Sequence, residues 1–279
     1  MAERVEISGA QADVYSDVPD WNGLRTAAIG KFRCKSLDAG QALLEKICTG
    51  LKADGFHAAI GPMDGSTWQP YRLVIESDGS PPFLMEPVSG PDDRESFAAA
   101  GFDEISHYVS SRQELMPEPP TPGKMDDVSV ETWDGSDPGR FFAEVHAVSS
   151  IAFAGNAFFQ PISQADFLAI YVPLVPLLRP DLIFFARSGD GAMQGFFFAI
   201  PDYQQGPQPA DVIFKTYASL LPGVGRILVD HAVAAAAGAG FRSAIHALMH
   251  VDNRSTDRSA RIGGEIFRRY ALMGRLLNG

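Results

Sequence analysis

The sequence predicts a mixed α/β (α+β) protein built from two related sheet-and-helix units in tandem, the N-terminal one incomplete. Two observations support this class. Segments rich in β-branched and aromatic residues alternate with helical periodicities along the whole chain, which favours one main sheet covered by helices. The same strand–turn–helix pattern also occurs in each half, which indicates an internal repeat.

The elements of the first half follow from hydrophobic periodicity. We expect short strands before residue 36, then an amphipathic helix over Gln41–Ala53 that ends at Gly55. Further strands are expected at Phe56–Ile60, Arg72–Glu76 and Gly101–Ser111, with a Pro/Gly-rich excursion between the last two.

A proline-rich segment, Met116–Lys124, predicts an extended linker. We therefore place a trimmed unit at residues 1–115, the linker at 116–126 and a complete unit at 127–279. The strands expected in the complete unit are Val128–Trp133, Leu182–Arg187, Met193–Ile200, Val212–Ser219, Ala244–Leu248 and a last strand that carries Tyr270. Its helices are expected at Pro138–Ser150, from about Ser163, and after Gly223.

The internal repeat is inferred from short sequence matches that occur in the same order in both halves. The paired segments are Ser36-Leu37-x-x-Gly40 with Ser219-Leu220-x-x-Gly223, and Gly55-Phe56 with Gly240-Phe241. A predicted helix separates the two segments in each copy, and a short strand follows. We interpret the halves as diverged copies of one β–α–β unit.

Composition excludes several classes of protein. The net charge of −11 and the pI of about 4.9 disfavour nucleic acid or an anionic membrane as the main partner, because both would repel the chain. The first residues lack a secretory signal, and no run of about 18 apolar residues suggests a membrane span. Cys34 and Cys48 are expected to be reduced and buried. We expect a cytoplasmic protein, and the sequence leaves a homodimer open.

The stretch Asp211–Gly240 carries the clearest functional signal. A strand that stops at glycine and leads into a helix presents free N–H groups, which together with the helix dipole suit a phosphate. Gly223 and Gly225 would equally serve tight packing of helix on strand. The matching first-half turn holds Asp38, whose carboxylate would repel phosphate, so we place the site in the second half.

This order of elements resembles the GNAT (GCN5-related N-acetyltransferase) superfamily of acyl-CoA-dependent N-acyltransferases, with the second half as the complete copy. The pyrophosphate turn of that family runs Gln/Arg-x-x-Gly-x-Gly/Ala, and Leu220-Leu221-Pro222-Gly223-Val224-Gly225 keeps both glycines but begins with leucine. The resemblance implies acetyl-CoA, or another acyl-CoA, as cofactor. The cofactor-binding residues expected are Leu220, Leu221, Pro222, Gly223, Val224, Gly225, Arg226, Asn253 and Ser255.

The resemblance also implies direct transfer, in which a neutral amine attacks the thioester and an acid protonates the departing thiolate. The family often places a tyrosine on the helix after the Asn253 turn. Because Arg254–Ile262 has none, Tyr270 is the stand-in and Tyr217 a further catalytic candidate. The strand before the turn lacks the glutamate base of the family, so Glu144 and His146, both on the first predicted helix of the second half, are the candidate bases. The residues expected to line the acceptor pocket are Asn156, Phe158, Phe159 and Gln160.

The sequence therefore predicts an N-acetyltransferase that acts on a small-molecule or peptide amine. The alternative is an inactive tandem GNAT-like protein that binds acyl-CoA or a partner, which Leu220 and the missing acid favour. A nucleotide-dependent oxidoreductase is a third hypothesis, weakened because no third glycine lies near Leu228. His246 and His250 share a strand face without a third ligand, so no metal site is expected.

Overall fold

The computed structural model describes residues 2–119 and 121–277, so Pro120 of the predicted linker lies outside the described residues. The elements of the first half are β1 (Ala2–Ile7), β2 (Ala10–Tyr15), β3 (Thr26–Cys34), α1 (Leu37–Ala53), β4 (Ala58–Gly61), β5 (Leu73–Ser77), α2 (Asp93–Ala99) and β6 (Asp103–Glu114). Those of the second half are β7 (Val128–Thr132), α3 (Pro138–Ala152), α4 (Gln164–Tyr171), β8 (Ile183–Ser188), β9 (Met193–Pro201), β10 (Asp211–Ser219), α5 (Val224–Gly238), β11 (Ser243–His250), α6 (Arg254–Arg261) and β12 (Glu265–Leu276).

The strands form one mixed 12-stranded sheet in the order β1-β2-β3-β4-β12-β6-β11-β10-β9-β8-β7, with β5 pairing β12 beside β4. The last strand of each half lies in the part of the sheet that belongs to the other half. Strand β12 pairs with β4, and β6 pairs with β11. The two exchanged strands also pair with each other. The linker in the sequence therefore marks no gap in the sheet.

Each half is built around a strand–helix–strand unit with parallel strands, β3–α1–β4 in the first and β10–α5–β11 in the second. This arrangement confirms the tandem organisation. The second half inserts α3 and α4 between β7 and β8, whereas the described residues before β3 contain no helix. The N-terminal unit is therefore incomplete, as predicted.

Helix α1 starts earlier than predicted. It begins at Leu37 rather than Gln41, because the Ser36 side chain accepts a hydrogen bond from the Ala39 amide at 3.3 Å and caps the helix. Gly40 consequently lies within the helix, and the predicted first-half turn at this position is wrong. The apolar face is the predicted one, comprising Leu43, Leu44, Ile47 and Leu51.

Helix α2 was missed in the sequence because its seven residues are too few for a helical period to stand out. Its Phe97 packs edge-on against Phe32 and Phe102, with ring centroids 5.1 Å apart in both pairs. Ser96 lies against Gly40, where an added Cβ would come within 2.2 Å of the serine Oγ. Gly40 is thus a packing glycine, which a loop-like sequence gave no reason to expect.

The second half follows the predicted order of elements closely. Helix α3 starts at Pro138, capped by Asp137, and α4 starts after the cap Ser163. The phenylalanines of this half are mostly core, as expected: Phe141, for example, stacks on Trp133 at 4.9 Å. Residues of these two helices and of β9 line a large cavity in the second half.

Candidate active site

Strands β10 and β11 separate partway along their length. Their paired register runs from Asp211 opposite Ser243 to Phe214 opposite His246. Beyond that point, the C-terminal parts of both strands line a cavity of about 1290 Å³. A bulge in the pairing of β10 with β9 falls between Phe214 and Thr216, where the strand turns away. The gap therefore exposes one backbone edge of β10 to the cavity.

The N-terminus of α5 lies at the end of this gap and faces the cavity. Gly223 caps the helix with a φ of +90°, a conformation that favours glycine, and no atom lies within 4 Å of where its Cβ would be. At Gly225 an added Cβ would lie 3.2 Å from Nη1 of Arg258. A guanidinium and the positive end of a helix dipole thus adjoin the same opening, an arrangement that suits an anion.

Tyr217 projects from β10 into this region. Arg258 Nη1 donates a hydrogen bond to the Tyr217 hydroxyl oxygen at 3.0 Å, and the ring stacks on Phe197 with centroids 5.5 Å apart. Burial raises the pKa of the Tyr217 hydroxyl, and Arg258 opposes that rise. The phenol is therefore protonated at neutral pH and held in a fixed position.

Lys215 lies where the two strands diverge. Burial, reinforced by the positive charge of Arg72, lowers the pKa of its ammonium to about 8. The nearby His246 is neutral, because burial lowers its pKa to about 4, and its Nε2 lies 3.0 Å from Gln113 Oε1. Of these two groups, the lysine is the one that changes charge near physiological pH.

The first half supplies one wall of the cavity, through Thr67–Arg72, Met85–Pro87 and Tyr108. Trp68 joins the two halves: its indole N–H donates to the Gln160 carbonyl at 2.7 Å, and its ring lies 5.7 Å from that of Phe159. The aromatic loop of the second half is thereby fixed against the first.

Most of the residues predicted from the sequence lie on the cavity. Those that line it are Tyr217, Leu220, Leu221, Pro222, Gly223, Gly225, Asn253, Ser255, Asn156 and Phe159. Asn253 is the cap position of α6, although its side chain makes no capping hydrogen bond. The turn, the start of α6 and part of the aromatic loop therefore converge in space.

The remaining predicted residues lie elsewhere. Glu144 forms an ion pair with Arg187 at 2.8 Å, on a face of α3 outside the cavity lining. Tyr270 is fully buried and donates to the Glu86 carboxylate at 2.5 Å, which with burial raises the pKa of the phenol far above its usual range. Burial against the sheet thus removes it from direct contact with a ligand.

Four of the predicted cofactor or pocket residues do not line the cavity. Val224 is buried in the core under α5, and Arg226 is exposed near Gly123 of the linker. Phe158 packs in the apolar cluster around Tyr108. Gln160 contributes its backbone carbonyl to Trp68 rather than a side chain to the cavity. Helical geometry accounts for the first two, since adjacent residues on a helix face different sides.

No functional role was predicted for Arg72, Tyr108 or Lys215, all of which line the cavity. Arg72 has a φ of +89° just before β5, and its guanidinium lies 3.8 Å from the ring centroids of both Tyr71 and Tyr108. Lys215 was visible in the strand before the turn, but its burial was not. Among the described residues no group of His, Cys, Asp and Glu could hold a metal ion, and no helix has the length and apolarity to cross a membrane.

Comparison with known proteins places the fold. No protein-family model matches the chain, and no curated protein sequence matches it significantly. Among solved structures, a GCN5-related N-acetyltransferase from Sphaerobacter thermophilus is 13% identical with a TM-score of 0.59, over 97% of this chain and 78% of that one.

Two further structures are similar. A tandem GNAT protein from the clavulanic acid biosynthesis pathway is 13% identical with a TM-score of 0.57, over 97% of this chain and 80% of that one. A probable N-acyltransferase from Enterococcus faecalis is 10% identical with a TM-score of 0.56, over 97% of this chain and 59% of that one. The chain therefore has the fold of the GCN5-related N-acetyltransferases, in a tandem arrangement.

Proposed function

We propose that the protein is an acyl-CoA-dependent N-acyltransferase, with acetyl-CoA as the donor to test first, and that its reaction takes place in the second-half cavity. The observation that carries this proposal is the gap between β10 and β11 beside the open N-terminus of α5. The proteins of similar fold support the reaction class, because GCN5-related N-acetyltransferases are among them.

The residues around the gap fit such a cofactor. The space at Gly223 and the charge of Arg258 would receive the pyrophosphate, with Leu221, Pro222 and Gly225 forming the turn around it. The β10 edge from Lys215 to Ser219, unpaired with β11, would hydrogen-bond the amide groups of the pantetheine arm. When bound, the cofactor supplies the acyl group as a thioester.

Tyr217 is the group that we assign as the general acid. Its oxygen already accepts a hydrogen bond from Arg258, and its hydroxyl proton would be donated to the departing sulfur. Tyr270, predicted for this role, is engaged with Glu86 beneath the cavity. The backbone N–H groups of the exposed β10 edge are placed to stabilise the oxyanion.

Lys215 is the group that we assign to accept the proton of the attacking ammonium. With a pKa of about 8, a useful fraction of the lysine is neutral at mildly alkaline pH. It lies two residues before Tyr217 on the same cavity-lining strand. Glu144 does not take this role in our proposal, because its carboxylate is paired with Arg187 outside the cavity.

One observation favours the non-enzymatic alternative. The two acidic residues that line the cavity are Glu86 and Asp252. Glu86 is bound to Arg268 and Tyr270, and the Asp252 side chain is 87% exposed. A protein that binds acyl-CoA without turnover would need no free acid.

Calorimetric titration with acetyl-CoA, followed by a thiol-release assay across a panel of amines, tests the proposal. We expect binding and release of CoA thiol. Tyr217→Phe should still bind acetyl-CoA but lower turnover by about 100-fold, because it removes the proton donor. Absence of binding at millimolar acetyl-CoA would overturn both hypotheses, and binding without thiol release would select the alternative.

A further inference from the structure

Arg72 is a buried cation without a counterion. Arg72 is 8% exposed; its Nη2 donates to the Tyr71 hydroxyl, but Nε and Nη1 have no hydrogen-bond partner among the described residues. The Tyr71 and Tyr108 rings stand at 90° to each other, and each ring centroid lies 3.8 Å from the guanidinium carbon. A buried charge with unpaired N–H groups is costly unless something binds it.

The acids near Arg72 are already occupied. Glu86, whose side chain is fully buried, accepts a hydrogen bond from Arg268 at 2.8 Å and another from Tyr270. Arg268 also lies 3.6 Å from Asp78. Arg72 takes part in none of the ion pairs among the described residues. The positive charge on this wall of the cavity is therefore uncompensated in a protein whose net charge is −11.

Arg72 and the proposed pyrophosphate site contact different strands of the sheet. Arg72 stacks on Tyr108 of β6, which pairs with β11 on the side away from β10. Arg258 instead contacts Tyr217 on β10 and the start of α5. Lys215, where the strands diverge, is close enough to Arg72 for its pKa to be lowered by that charge. Arg72 and Arg258 are thus two separate cations of the cavity lining, and a pyrophosphate bound at Arg258 would leave Arg72 unpaired.

We propose that Arg72 binds a carboxylate carried by the molecule that reacts in the cavity, as the acceptor or as the acyl group. This inference rests on the proposed function for the identity of the reaction. A carboxylate is the acceptor that matches both the unpaired N–H donors and the uncompensated charge of this guanidinium. The unpaired N–H groups are buried, and Arg72 lines the cavity beside the half-buried Tyr71.

Two kinds of substrate could carry the carboxylate that binds Arg72. The carboxylate belongs either to an acceptor that also carries the amine, as in an amino acid, or to a dicarboxylic acyl chain on the donor. The two arms of one experiment separate them. In the acceptor arm, amino acids are compared with their carboxamides using acetyl-CoA. In the acyl arm, succinyl-CoA is compared with butyryl-CoA using one neutral amine.

We expect one arm to favour the carboxylate-bearing member, and Arg72→Gln to raise its KM by about ten-fold or more. The KM of the uncharged member should stay unchanged. Arg25→Gln is the matched control, because Arg25 also lies over an aromatic ring, at 4.0 Å from Phe56, but is exposed and outside the cavity. Arg72→Lys, which keeps the charge, should retain part of the preference and serves if Arg72→Gln does not fold.

The inference is overturned if wild type shows no carboxylate preference in either arm, or if Arg72→Gln keeps that preference. Failure of the proposed function looks different, because it would remove acetyl-CoA binding and thiol release altogether. In that case calorimetry with N-acetylglycine and N-acetylglycinamide still decides: binding of only the carboxylate, lost in Arg72→Gln, supports the subsite, and equal binding or none refutes it.

Discussion

The two halves use the same strand–helix–strand unit, yet the gap between the parallel strands is closed in one and open in the other. In the first half the Met63 amide donates to the Ile29 carbonyl at 2.9 Å, and Asp64 accepts from the Lys31 amide at 2.7 Å. These contacts join β3 to the loop after β4. In the second half the corresponding strand ends diverge and line the cavity.

The N-termini of α1 and α5 differ in the same way: the first is covered and the second is open. Helix α1 is capped by Ser36, and the Ser96 hydroxyl of α2 donates to the Leu37 carbonyl at 3.4 Å. Helix α5 begins at Val224 after the cap Gly223, which has open space around its Cβ position and lines the cavity. The unit therefore does not create a cofactor site by itself. The loop after the second strand and the residue before the helix decide whether the gap accepts a ligand.

The largest expected effect is at the open helix start. Gly223→Asp should weaken acetyl-CoA binding by on the order of 100-fold or more, because a carboxylate would face the pyrophosphate at close range. Calorimetry measures the loss. Gly191→Asp is the matched control, because Gly191 has a φ of +85° and equally open surroundings but lies in the β8–β9 turn. Equal losses in both variants would mean that backbone strain, not the site, is responsible.

Lys31 on β3 and Lys215 on the equivalent strand β10 have pKa values shifted in opposite directions, so the pH dependence of stability distinguishes the two halves. Lys31 is exposed and pairs with Asp13 at 3.2 Å, which raises its pKa above 10.5, whereas burial lowers that of Lys215 to about 8. Between pH 8 and 10.5 the folded state has lost the Lys215 proton and the unfolded chain keeps it. Stability contributed by this group therefore rises with pH, by up to about 1.4 kcal/mol per pH unit.

Urea denaturation from pH 7 to 9.5 measures this dependence. Lys215→Met should remove that rise from the free energy of unfolding. Lys31→Met should shift the free energy by a nearly constant amount, because the stabilisation from Lys31 is lost only above this range as pH passes its raised folded pKa. A wild-type pH dependence retained by Lys215→Met would show that the lysine titrates normally.

The smallest effect is expected at the closed gap. Asp64→Ala removes the acceptor for the Lys31 amide and should lower the free energy of unfolding by about 1 kcal/mol. The acetyl-CoA affinity should stay within about two-fold of wild type, because the proposed site lies in the other half. A ten-fold change in that affinity would place cofactor contacts in the first half and refute the comparison.

The sequence was most informative where a signal is local. The turn at Gly223 and the helix that follows could be predicted, because a strand, a glycine and an alanine-rich helix occur in order. Gly40 misled the same reasoning, because a glycine inside a helix and a glycine at its start look alike without the neighbouring Ser96.

The wall contributed by the other half could not be predicted. Arg72 and Tyr108 reach the cavity because β6 pairs with β11 across more than a hundred residues of sequence. Tyr270 was correctly placed in the last strand, but that strand lies in the middle of the sheet, where both faces are covered. Non-local pairing of this kind leaves no trace in periodicity or motif spacing.

The strand exchange has a consequence for how the protein is made. During synthesis the ribosome delivers β12 after every other strand, yet β12 lies between β4 and β6 in the sheet. The first half cannot complete its sheet while only its own residues have emerged, and must wait with an unpaired edge at β4. Folding therefore departs from the usual N-terminal-first order of multidomain chains, and its rate depends on contacts between residues far apart in sequence.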